Sequence, residues 1–237
     1  MKNPKDYIIF PLDFENREQA KKHIKLLQNK VGMFKVGLEL FIAEGPAIID
    51  MIKDESDVDI FLDLKLHDIP ATVAKAVKSV SNLGVKFLTV HCGESEEMLN
   101  QAVSAAENRV EILGVTVLTS VGAGDIKDSG FKDQYYQNIE ELVLKRAGMA
   151  KSCGCHGIVC SGKETPSLKN MFGDDLQLIT PGIRPAWSSK DDQKRIVTPS
   201  EAIRNGSDYL VIGRPIRSAD DPVAAAEKVA DEIAEAL

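Results

Sequence analysis

The chain has 237 residues, 43% of them hydrophobic and 27% charged, which is ordinary usage for a globular protein and leaves ample apolar material for a core. Acidic residues outnumber basic ones, 36 against 29, for a formal charge of -7, and no lysine- or arginine-rich block occurs; nucleic acid and anionic membranes are therefore not expected as partners. The N-terminus runs from polar residues straight into a strand-like segment and no stretch approaches the roughly 18 apolar residues of a membrane span, so a cytoplasmic protein is expected.

In chain order, eight short β-rich runs alternate with stretches of helical spacing. YIIFPLD (7–13) is followed by REQAKKHIKLLQNK, MFKVG (33–37) by PAIIDMIKDE, VDIFLDLK (58–65) by TVAKAVKSVSNLG, and KFLTVH (86–91) by SEEMLNQAVSAAEN. VEILGVTVLTS (110–120) opens a longer interval ending in NIEELVLKRAGMAKSCG; then come GIVCS (157–161), LQLITPG (176–182), PSEAIRNG, YLVIGR (209–214) and the closing PVAAAEKVADEIAEAL. Gly84, Gly154 and Gly206 follow helical runs as C-terminal caps, and Thr198-Pro199 opens a helix. Alternating strands and helices imply right-handed crossovers and a parallel sheet. Eight such units with no Pro/Gly/Ser linker predict a single domain over residues 1–237, a (β/α)8 TIM barrel, with a doubly wound open sheet as the alternative.

A barrel demands that active groups collect at the C-terminal ends of its strands. Asp13 ends the first run, Lys35 lies in the second, Asp63 and Lys65 in the third, Ser120 ends the fifth, Pro181-Gly182 the seventh and Gly213-Arg214 the eighth. His91, ending the fourth, is either barrel packing or site lining. Residues two apart on a strand share a face, so Asp63 and Lys65 are expected to point together. Alone, such a pair would read as a surface ion pair worth little. Flanked by Phe61, Leu62, Leu64 and Leu66 it reads instead as a pair buried with its charges balanced. An ammonium held among carboxylates in a dry pocket can donate a proton and stabilise a developing anion. Asp68 follows in the turn before Pro70 and can face elsewhere. In VIGRPI, a glycine followed by an arginine suits phosphate, and RPAWSSKDDQKR is long and polar enough to close over a ligand. CGCHGIVC offers Cys153, Cys155, His156 and Cys160, but the spacing matches no common zinc pattern and Cys160 lies in a strand-like run, so buried thiols are expected rather than metal.

The segment DLKLHDIPATV, with its D-x-K-x-x-D-I-P-x-T pattern, resembles the signature of the orotidine 5'-phosphate decarboxylases, and the likeness extends almost end to end through FPLDF, FKVGLEL, VLTS, TPGIRP, DDQKR and YLVIGRPI. The resemblance implies a cofactor-free decarboxylation of orotidine 5'-monophosphate to UMP in pyrimidine synthesis, in a homodimeric barrel with shared active sites. By position, Lys65 would protonate C6, Asp63 would stand beside the substrate carboxylate, and Asp13 and Lys35 would hold the ribose hydroxyls and complete a charge array. Asp68 and Thr72 would reach into the partner's site. Ser120 would bond the pyrimidine, Gln193 would bridge base and phosphate, Gly213 and Arg214 would bind phosphate, and Pro181 and Arg184 would complete the substrate pocket. Ala71 departs from the asparagine frequent in bacterial relatives. Two other readings stand beside this one. Mg2+-dependent hexulose-phosphate synthases and ketogulonate-phosphate decarboxylases share D-x-K-x-x-D but resemble E-x-G where this chain has Lys35-Val36-Gly37, and a lysine there would repel the cation. A catalytically silent nucleotide-phosphate binder would keep the barrel without the chemistry.

Overall fold

The computed structural model describes residues 2–188 and 197–237. A 3₁₀ turn at Pro4–Tyr7 leads into β1 (Ile8–Pro11), α1 (Arg17–Leu27), β2 (Met33–Gly37), α2 (Leu38–Glu44), α3 (Ala47–Glu55), β3 (Asp59–Leu66), α4 (Pro70–Val80), β4 (Phe87–His91), α5 (Glu96–Ala106) and β5 (Glu111–Val115). There follow α6 (Ala123–Asp128), α7 (Asp133–Gln137), α8 (Ile139–Ser152), β6 (Gly157–Val159), α9 (Thr165–Phe172), β7 (Gln177–Thr180), α10 (Pro199–Arg204), β8 (Tyr209–Val211), α11 (Arg214–Arg217) and α12 (Pro222–Ala234). The strands form a closed parallel barrel in chain order, with β1 pairing β8 through Ile8↔Leu210 and Ile9↔Val211. The open-sheet alternative is thereby excluded.

Local chemistry sets the helix ends. Asn16 accepts the Gln19 N–H to start α1, Asp221 accepts from Val223 and Ala224 to start α12, and Thr198 with Glu201 forms a reciprocal capping box ahead of Pro199. Gly154 and Gly206 take φ of 80° and 97° just past α8 and α10, a left-handed turn that glycine adopts without strain. In α1 the residues Ala20, Ile24 and Leu27 recur on one face and are buried against the sheet.

The core has two parts. Inside the barrel lie Ile9, Met33, Phe61, Phe87, Leu113 and Ile179, with Val159, Tyr209 and Val211 packed against them, so that every strand contributes. Outside it, the other face of each strand packs on the helices in one continuous cluster. Each fully buried side chain of this kind contributes about 1.5–3 kcal/mol. Two residues further along β2 and β3 from Met33 and Phe61 come Lys35 and Asp63, so the same inward alternation that fills the barrel floor raises charge above it.

Some elements differ from the sequence expectation. The fifth strand stops at Val115 rather than Ser120, because its neighbour β6 is three residues long and Val115↔Val159 is the last pair of the ladder. Helices α2, α6, α7, α9 and α11 were not foreseen. Three of them have six, five and four residues, too few to show a period. In α2, LELFIAE is apolar on nearly every side and leaves Leu38 and Ile42 exposed. Among the described residues, no helix is long and apolar enough to cross a membrane.

Candidate active site

The charged residues foreseen on the first three strands meet in an alternating chain. Asp13 Oδ1 lies 3.6 Å from Lys35 Nζ, Lys35 Nζ lies 3.3 Å from Asp63 Oδ2, and Lys65 Nζ donates to both Asp63 oxygens at 2.8 Å. Lys35 and Asp63 are buried, Lys65 is half-buried and Asp13 is exposed at the rim. Burial alone would raise the pKa of Asp63. The charges of Lys35 and Lys65, together with hydrogen bonds from Lys65 and Thr89, outweigh it and hold the carboxyl below its usual range. Asp63 is therefore an anion locked between two cations.

Asp63 and Lys65 point together, but not by simple alternation. Lys65 has φ of 50°, in the left-handed region, and the β3–β4 register shifts from Leu62↔Leu88 to Leu66↔Val90. Four steps of β3 thus face two of β4. The bulge turns the lysine side chain back over the carboxylate two residues earlier.

Lys35, Asp63 and Lys65 line a cavity of about 200 Å³ together with Ser120, Pro181 and Thr119. Its floor is apolar, formed by Phe61, Val115, Val159 and Val211. Arg184 and Arg214 line a second cavity of about 300 Å³ with Trp187 and Ser188. Gly213 precedes Arg214 where β8 passes β1 so closely that a Cβ would meet Pro11 Cγ at 2.8 Å. Ser120 reaches its cavity from a loop, five residues beyond the end of β5.

Asp68 and Thr72 do not join the cluster. Both are exposed, and the Asp68 carboxylate accepts the Ile69 N–H at 2.7 Å. Between them Ile69 is 66% exposed. Gln193 lies outside the described residues. His91 lines neither of these cavities but a third, of about 250 Å³, with His67 and Arg146. Its pKa is lowered by burial first, then by the charges of His67, Lys65 and Arg146.

Three residues of consequence were not singled out from the sequence. Thr119 lines the charged cavity beside Ser120. Arg146 on α8 donates from Nη1 to the Thr116 carbonyl at 2.7 Å, tying down the start of the loop that carries Thr119 and Ser120. Thr89, fully buried on β4, donates to Asp63 Oδ1 at 2.9 Å and accepts the Lys65 backbone N–H at 2.8 Å. The available signal for it was a hydroxyl in the middle of the apolar run KFLTVH. Cys153, Cys155 and Cys160 are buried in the outer core, and burial pushes their thiols up; Cys160 also lines the charged cavity. His156, between them, has its Nδ1 3.3 Å from the Ile112 amide nitrogen.

The chain is 52% identical over 237 residues to the orotidine 5'-phosphate decarboxylase of Desulfosudis oleivorans, covering 99% of this chain and 95% of that one. It is 44% identical over 235 residues to the enzyme of that name from Trichlorobacter lovleyi, covering 97% and 95%. The crystal structure of orotidine 5'-phosphate decarboxylase from Lactobacillus acidophilus superposes with a TM-score of 0.81 at 36% identity, over 95% of this chain and 98% of that one. A model of the orotidine 5'-phosphate decarboxylase / HUMPS family matches residues 6–229, and the chain belongs to that family.

Proposed function

We propose that this chain decarboxylates orotidine 5'-monophosphate to UMP in the cavity bounded by Lys35, Asp63 and Lys65, without metal or organic cofactor, as a cytoplasmic homodimer. The observation that carries this reading is the unbroken series Asp13, Lys35, Asp63, Lys65, with separations of 3.6, 3.3 and 2.8 Å, above an apolar floor. Breaking the bond between C6 and the carboxyl group leaves an electron pair on C6 and releases carbon dioxide. The Lys65 ammonium stabilises that pair and transfers its proton to C6, after which solvent reprotonates the amine. Asp63 orients the ammonium and stands where a substrate carboxylate would be repelled. Preorganised charge, supplemented by phosphate binding through Gly213, Arg214, Arg184 and Gln193, would supply on the order of 20 kcal/mol of barrier reduction. Asp13 and Lys35 hold the ribose, while Ser120 and Pro181 contact the base.

The exposed trio Asp68, Ile69 and Thr72 supports a shared site, since a bare isoleucine between two polar groups suits burial against a second copy. Lys35 weighs against a Mg2+-dependent reaction, because its ammonium already occupies the space between the Asp13 and Asp63 carboxylates. The test is consumption of orotidine 5'-monophosphate by purified protein in excess EDTA, followed as loss of ultraviolet absorbance. Full activity is expected. Activity abolished by EDTA and restored by Mg2+ would move the reading to the metal-dependent branch of the family.

A further inference from the structure

Lys65 sits in a gap in the sheet. Between Leu62↔Leu88 and Leu66↔Val90 the ladder is interrupted, so the Lys65 N–H has no backbone carbonyl of β4 opposite it. A buried N–H without a partner costs about 1–3 kcal/mol. The Thr89 hydroxyl stands in for the missing carbonyl, accepting that N–H at 2.8 Å, and donates its own hydrogen bond to Asp63 Oδ1 at 2.9 Å. One oxygen thereby fixes both the backbone of the lysine and the face of the carboxylate that the lysine grips. Thr89 is fully buried and lines none of the cavities described above, so its contacts are with Lys65 and Asp63 rather than with the cavity.

We infer that Thr89 is a positioning residue for the decarboxylation, its hydroxyl setting the bulge that aims Lys65 and the orientation of Asp63. This rests on the decarboxylase reading above. A methyl in place of the hydroxyl would leave the barrel packed but release both hydrogen bonds. The lowered pKa of Asp63 depends in part on the bond from Thr89, so its loss should let the carboxyl protonate at higher pH.

The experiment compares wild type, Thr89→Val and Thr89→Ser. Thr89→Val should lower kcat by about 10- to 100-fold, the range for removing a hydrogen bond to a charged group, with KM changed less than about threefold. The acid limb of its kcat/KM profile should move to higher pH, and Thr89→Ser should restore most of the loss. If the valine variant does not fold, Thr89→Ala supplies the same comparison. A hydroxyl-free variant with wild-type kcat and an unmoved acid limb overturns the assignment, as do serine and valine variants impaired alike, which would make the role one of packing. Wild-type protein that leaves orotidine 5'-monophosphate untouched overturns the decarboxylase reading and this assignment with it.

Discussion

Replacing Lys65 with alanine removes the proposed proton donor and one of the two cations on Asp63. The structure separates the two consequences. Asp63 keeps Lys35 at 3.3 Å and the Thr89 hydroxyl at 2.9 Å, so its charge is not orphaned. Deleting the sole partner of a buried charge costs about 3–5 kcal/mol, and with a second cation in place the loss should be nearer 1–2 kcal/mol. The variant should therefore fold, with circular dichroism unchanged and a modestly lower Tm. The kinetic loss should be much larger. Proton donation is worth about 10²- to 10⁴-fold and electrostatic stabilisation of the developing anion a further 10²- to 10³-fold. Taken together, kcat should fall by about 10⁵-fold or more, roughly 7 kcal/mol of transition-state stabilisation. Because Arg184, Arg214 and Gly213 are untouched, nucleotide binding, read by titration with UMP, should weaken less than about tenfold. The assay is absorbance loss under single-turnover conditions. A folded Lys65→Ala protein that retains kcat within about 10²-fold of wild type would refute the donor role.

Two further outcomes follow from the same geometry. Mixing Asp68→Ala with Lys65→Ala subunits should restore part of the activity that each lacks, through hybrid dimers holding one intact site; no recovery after demonstrated subunit exchange would place Asp68 outside the neighbour's site. Asp63 is held below the usual carboxylate range, so the stability it confers is present above its unfolded pKa of about 3.9 and is lost as pH falls through the lower folded value. The Tm difference between wild type and Asp63→Asn should accordingly narrow from about pH 6 to pH 3, and a difference independent of pH would contradict the ion-pair account.

The barrel and its charged rim were legible because parallel strands read as uninterrupted apolar runs, against which Asp13, Lys35, Asp63 and Lys65 stand out. Two things were not. The apolar, β-branched TVLTS reads as strand, yet strand length is set by the partner, and β6 offers no residue to pair beyond Val159. The bulge at Lys65 was hidden because a register shift is a relation between two strands, with no mark in either one alone. Thr89 left one mark, a hydroxyl within an apolar run, but its importance comes from the gap between two strands that it fills. In the sequence, Asp68 and Thr72 acquired a role only through the resemblance, which implies one in a partner's site; in the structure both are exposed and apart from the charged cluster.

Lys65 holds φ of 50°, a region that glycine enters freely and that a lysine enters at a cost of about 1–3 kcal/mol. Glycine would relax that position but carries no amine, so the residue type best suited to the backbone is excluded by the proposed proton-donor role. Stability and turnover are therefore in conflict at a single residue. A screen for thermostable variants of this protein would favour Lys65→Gly over Lys65→Ala, and would discard the reaction in doing so.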